Sequence, residues 1–64
     1  MAELRLNTKT NKTSWGFSDG NLFYPFGDTE LARAMATLTE MEFRTQGVMG
    51  VEMDGEPQQE WRTV

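Results

Sequence analysis

Ala2, Leu4 and Leu6 alternate with Glu3, Arg5 and Asn7 at the start of the chain, the two-residue period of a strand with one buried face. The polar run Lys9-Thr10-Asn11-Lys12 then reads as a turn. The next stretch, SWGFSDGNLFYPF from Ser14 to Phe26, gathers its aromatic residues around one Asp-Gly, a strong signal for a two-residue hairpin loop. With Ser18 opposite Asn21, Phe17 faces Leu22 and Trp15 faces Tyr24 on one side of the ribbon. Gly16 then falls opposite Phe23 on the other side, where an exposed ring lies across the glycine. Extended back through a four-residue turn, the pattern sets Leu4 against Phe17 and Leu6 against Trp15. Residues 2–26 thus predict a three-stranded antiparallel meander, with Pro25 near the end of an edge strand.

The period changes after Gly27. Asp28 is the expected N-cap of a helix over 29–46, and Gly47 its C-terminal stop. Leu31, Ala34, Met35, Leu38 and Met41 form the main apolar stripe, expected to cover the aromatic face of the sheet. Ala32, Ala36 and Phe43 form a second stripe to its side, so the helix is apolar over more than one face. Glu42 lies near the centre of the main stripe, which calls either for a cation such as Arg5 or for exposure in the last turn. Beyond Gly47, Val48 to Asp54 alternates again, with Met49, Val51 and Met53 on one face. The loop Gly55 to Gln59 leads to a last strand, Glu60 to Val64, in which Trp61 would pair with Met53. The expected fold is a single α+β domain over 1–64, ββαββ-like: a meander (2–26), one helix (29–46) and a C-terminal hairpin (48–64) that either joins the first sheet or stands apart.

Composition narrows the chemistry. The 64 residues contain no cysteine and no histidine, which excludes disulfides, Cys/His zinc sites and thiol or imidazole catalysis. No glycine-rich phosphate loop or nucleophile elbow is present, and a domain this small rarely encloses a catalytic pocket, so the reading is a non-enzyme without cofactor or metal. No apolar run approaches the ~20 residues of a membrane span, and Met1-Ala2-Glu3-Leu4 does not open a signal peptide. A cytoplasmic location follows as an expectation, and Asn11-Lys12-Thr13 is then a chance glycosylation match.

The net charge of −4 is unevenly placed. Residues 1–12 set Glu3 against Arg5, Lys9 and Lys12, whereas residues 47–64 set Glu52, Asp54, Glu56 and Glu60 against Arg62. That balance disfavours nucleic-acid binding, which needs a basic footprint, although Arg5, Lys9 and Lys12 leave it as a third reading. The acidic run Glu52, Asp54, Glu56 and Glu60 lacks the positional pattern of a calcium loop. It reads either as a solvated edge that discourages sheet-to-sheet pairing or as a patch for a basic protein surface. Phe23 and Phe43 are the candidate apolar anchors beside it. The expectation is a phage- or mobile-element-type inhibitor. It would block a host nucleic-acid-handling machine, such as an RNA polymerase, CRISPR effector or restriction enzyme, by setting these acids, as a DNA mimic does, against basic residues. The alternative is a structural or regulatory subunit of a phage assembly, a homodimer included, that self-associates through a sheet edge or the Ala32, Ala36 and Phe43 stripe.

Overall fold

A computed structural model of the chain describes residues 1–48 and 54–64. Three strands, β1 (Ala2–Asn7), β2 (Thr13–Ser18) and β3 (Leu22–Gly27), form the antiparallel meander. Helix α1 (Glu30–Gln46) follows, then β4 (Glu56–Pro57), a 3-10 turn at Gln58–Glu60, and β5 (Trp61–Thr63). The α+β class and the element order agree with the sequence pattern. The two strands after the helix do not pair with each other: β4 extends the β3 edge and β5 the β1 edge, giving the order β4-β3-β2-β1-β5. The expected strand over Val48 to Asp54, with its Met53–Trp61 pair, falls largely on residues outside those described.

Both hairpins close in a different register from the one expected, and the same chemistry sets each. Asn7 Oδ1 accepts the backbone N–H groups of Lys9 and Thr10 at 2.8 and 3.0 Å, and Asp19 Oδ1 accepts those of Asn21 and Leu22 at 2.8 and 2.9 Å. A side chain that caps the amides two and three residues ahead must stand at the entry of its turn. Asp19 therefore precedes the turn, and Gly20 and Asn21 fill it, with Gly20 at φ +102°. Ser18 pairs with Phe23, Phe17 with Tyr24, Ala2 with Phe17 and Leu4 with Trp15. Each slip amounts to two residues in total, so every side chain keeps its predicted face although its partner changes.

The carboxyl of Asp19 is held below its usual value of 3.8, chiefly by the Leu22 and Asn21 N–H groups. A depressed carboxyl stabilises the fold above its unfolded pKa and loses that contribution as the pH falls through its folded pKa. Acidification below about pH 4 is therefore expected to loosen the β2–β3 turn. Urea midpoints at pH 6 and pH 3 should differ less in Asp19→Asn than in the parent chain.

The sheet curls strongly. A flat five-stranded sheet would hold β4 and β5 roughly 19 Å apart at about 4.8 Å per strand. The three residues of the 3-10 turn cannot bridge that distance, because four peptide steps reach at most about 14 Å. Curvature enters at β2, where the pairing to β3 shifts between Trp15 and Gly16. Gly16 has no Cβ, and the Phe23 ring lies over it as the sequence suggested. Pro25 sits opposite Gly16 and beyond the short pairing of β4, so its missing N–H leaves no ladder bond open on the outer side.

Two small cores result, one on each face of the sheet. On the concave side, Phe23 is fully buried and packs against Trp61 with ring centroids 4.8 Å apart and planes tilted by 47°, and the Arg5 guanidinium carbon lies 5.6 Å from the centre of the Phe23 ring. Phe23 is thus core, a correction to its expected exposure, because curling brings β5 over the ring that a flat hairpin would leave in water. On the convex side α1 lies mainly over β2 and also touches β1 and β3. Thr29, one residue after the expected Asp28, is the N-cap, its Oγ1 accepting Ala32 N–H at 3.1 Å, and Gly47 ends the helix at φ 75° as expected.

Candidate functional site

Helix α1 turns its second apolar stripe to the sheet. Ala32 and Ala36 are buried, Thr39 and Glu40 are half-buried, and Phe43 rests on Phe17 with ring centroids 5.1 Å apart. The main stripe faces water: Leu31 is 70%, Met35 46%, Leu38 61% and Met41 57% exposed. This reverses the expected orientation. The convex face already carries Leu4, Trp15 and Phe17. A helix crossing such bulky side chains approaches closely only where its own are small, so the alanines face inward and the long side chains outward. Trp15 gains a lid from the helix in another way, with the Arg33 guanidinium 5.1 Å above its ring.

The outward residues form one continuous ridge. Leu31, Met35 and Leu38 stand at i, i+4 and i+7, the spacing of anchors on a helix that docks in a groove. Met35 and Met41 add unbranched, polarisable side chains suited to an irregular partner surface. A hollow of about 530 Å³ lies across the C-terminal half of the ridge, lined by Met35, Leu38, Met41, Glu42 and Thr45 among others. A second, of about 440 Å³, lies on the flank that carries Ala34, between Glu30, Arg33, Ala34, Thr37 and Leu38. Val48, just past the helix, is exposed as well. Glu42, near the centre of the ridge, is exposed in the last turns of the helix. Arg5 does not meet it, since Arg5 lies on the concave face beside Glu3.

Two carboxylates of the acidic run, Glu56 and Glu60, already have partners within the fold. Glu56 Oε2 accepts Trp61 Nε1–H at 2.7 Å and Asn7 Nδ2–H at 3.4 Å, so this carboxylate links β4 to β5 and β1. Glu60 binds Lys9 at 2.8 Å. Their ion pair raises the lysine above its ordinary value, the hydrogen bond to Glu60 being the main cause. Asp54 is exposed, and Glu52 lies outside the described residues. Phe43, expected as a surface anchor, is half-buried under the helix. Two of the three early cations are paired as well, Arg5 with Glu3 and Lys9 with Glu60, while Lys12 is exposed in the first turn. Among the described residues no cluster of three acidic side chains is placed to hold a metal ion, and no helix is long and apolar enough to cross a membrane.

Glu56 therefore carries a structural duty that its charge did not reveal. Glu56→Ala leaves the indole N–H of Trp61, itself buried, without its acceptor and is expected to destabilise the fold by about 1–3 kcal/mol. Glu56→Gln keeps an oxygen acceptor and should lose less. Urea denaturation followed by tryptophan fluorescence separates the two.

No protein-family model matches the chain, and neither curated proteins nor solved structures provide a match.

Proposed function

We propose that this protein works without catalysis, by binding another protein chain through the outward ridge of α1. The observation that carries the reading is the exposure of Leu31, Met35, Leu38 and Met41 together on one side of a helix whose opposite side packs on the sheet. Contiguous apolar surface of this kind on a small domain marks a partner site. The ridge offers large side chains at regular spacing, on an element held rigid by its packing beneath.

An inhibitor that sets Glu52, Asp54, Glu56 and Glu60 against a basic nucleic-acid groove is a second reading, supported by the net charge of −4 and the exposure of Asp54. It draws less support than the ridge, since Glu56 and Glu60 are already engaged by Trp61, Asn7 and Lys9. A photo-crosslinking amino acid placed at position 38, and separately at positions 12 and 54, tests the choice in cells producing the protein. Covalent protein adducts at 38 and not at 12 or 54 are expected. Adducts at 54 with none at 38 would move the site to the acidic segment.

A further inference from the structure

We infer that the occupant of the ridge is a second copy of this chain, bound helix against helix in antiparallel orientation about a two-fold axis near Thr37 and Leu38. The inference rests on the ridge being a protein-binding surface and adds the identity of the partner.

Self-complementarity carries the argument. A two-fold axis at that point brings residues whose numbers sum to about 75 face to face. Leu38 then meets Leu38 of the second copy, and Met41 meets Ala34. Met41 and Ala34 lie on the same flank of the ridge, and in antiparallel helices like flanks adjoin. The long methionine thus enters the hollow of about 440 Å³ that the small alanine leaves beside Leu38. Because the contact is isologous, the same fit occurs twice.

Charge chooses the direction. Glu30, in the first helical turn, and Arg44, in the last, lie on that same flank. Antiparallel pairing sets Glu30 of each copy beside Arg44 of the other. Parallel pairing would instead bring the two Glu42 carboxylates together across the ridge, where partial desolvation makes like charges most repulsive. The 17 residues of α1 span about 25 Å. One such helix covers less than the ~800 Å² per partner of a standard interface, so the dimer is expected to be weak, with a dissociation constant on the order of micromolar.

Sedimentation equilibrium from about 1 to 500 µM is the test, with the range chosen to bracket a micromolar constant. The parent chain is expected to pass from monomer to dimer. Leu38→Glu, at an exposed position, should remain monomeric with an unchanged circular dichroism spectrum. Arg44→Glu should weaken dimerisation about tenfold, and adding Glu30→Arg should restore it, a rescue that only the antiparallel register provides. A monomeric parent chain at the highest concentration overturns the second copy as occupant; crosslinks from position 38 to a different protein would then leave the ridge standing as a binding surface. A dimer that survives Leu38→Glu overturns the inference and, where position 38 gives no crosslink, the ridge reading with it. Failure of Glu30→Arg to rescue Arg44→Glu overturns the antiparallel register.

Discussion

Phe23→Ala is expected to leave about half or more of the chains unfolded at 25 °C. Phe23 is fully buried, packs against the Trp61 ring and fills the concave side of the sheet above Gly16. Removing a buried phenylalanine side chain costs about 3–5 kcal/mol, because the lost burial is joined by a cavity that the surroundings only partly close. A cysteine-free domain of this size has about 3–5 kcal/mol of stability in total. The loss and the reserve are equal in size. Far-ultraviolet circular dichroism and tryptophan fluorescence should both report the change, the latter because Trp61 loses the ring packed against it. Phe23→Leu, which keeps most of the volume, is expected to stay folded with a lower urea midpoint.

Gly16→Ala should be nearly as damaging, for the opposite reason. A Cβ on Gly16 would clash with the carbonyl oxygen of Tyr24 and stand 2.7 Å from Cζ of Phe23. A side chain can rotate away from such a contact, but the Tyr24 oxygen belongs to the backbone of the neighbouring strand. Relief therefore requires β2 and β3 to part where the sheet bends. Overpacking of a tight interior commonly costs 1–3 kcal/mol, and a clash with backbone belongs at or above the upper end, about 3 kcal/mol. Gly20→Ala offers the contrast: its added Cβ meets nothing within 4 Å, so its penalty arises only from the positive φ. A thermal-melt comparison of the two variants should show the far larger drop at position 16.

The three meander strands, the helix, its glycine stop and the last strand were legible from local pattern, since alternation and helical spacing are local properties, whereas β4 falls within the stretch 55–59 that reads as a loop. Even the slipped hairpins kept their predicted faces, because a two-residue slip preserves parity while Asn7 and Asp19 select the turn. The orientation of α1 was not legible. Ala32, Ala36 and Phe43 compete with Leu31, Leu38 and Met41 for the sheet, and periodicity weighs hydrophobicity, whereas the contact is decided by the volume already occupied by Trp15 and Phe17. The closure of the sheet was hidden for a related reason. Glu56 and Trp61 are five residues apart, with nothing in their local pattern to show that a carboxylate would accept the indole N–H and join opposite edges. As a result Phe23 and Glu56 read as surface features, while the exposed ridge of α1 read as core.

Thiol labelling tests the orientation of α1 most directly, because the chain has no cysteine of its own. Leu38→Cys and Ala36→Cys place one thiol on each side of the same helix, and labelling by a small reagent is followed under native conditions at about 1 µM, at or below the expected dissociation constant. The structure predicts that the thiol at 38 reacts nearly as fast as in denaturant, while the thiol at 36 is strongly protected. Protection at 38 with rapid reaction at 36 would contradict it: the main apolar stripe would then be core, and the ridge would be lost as a docking surface.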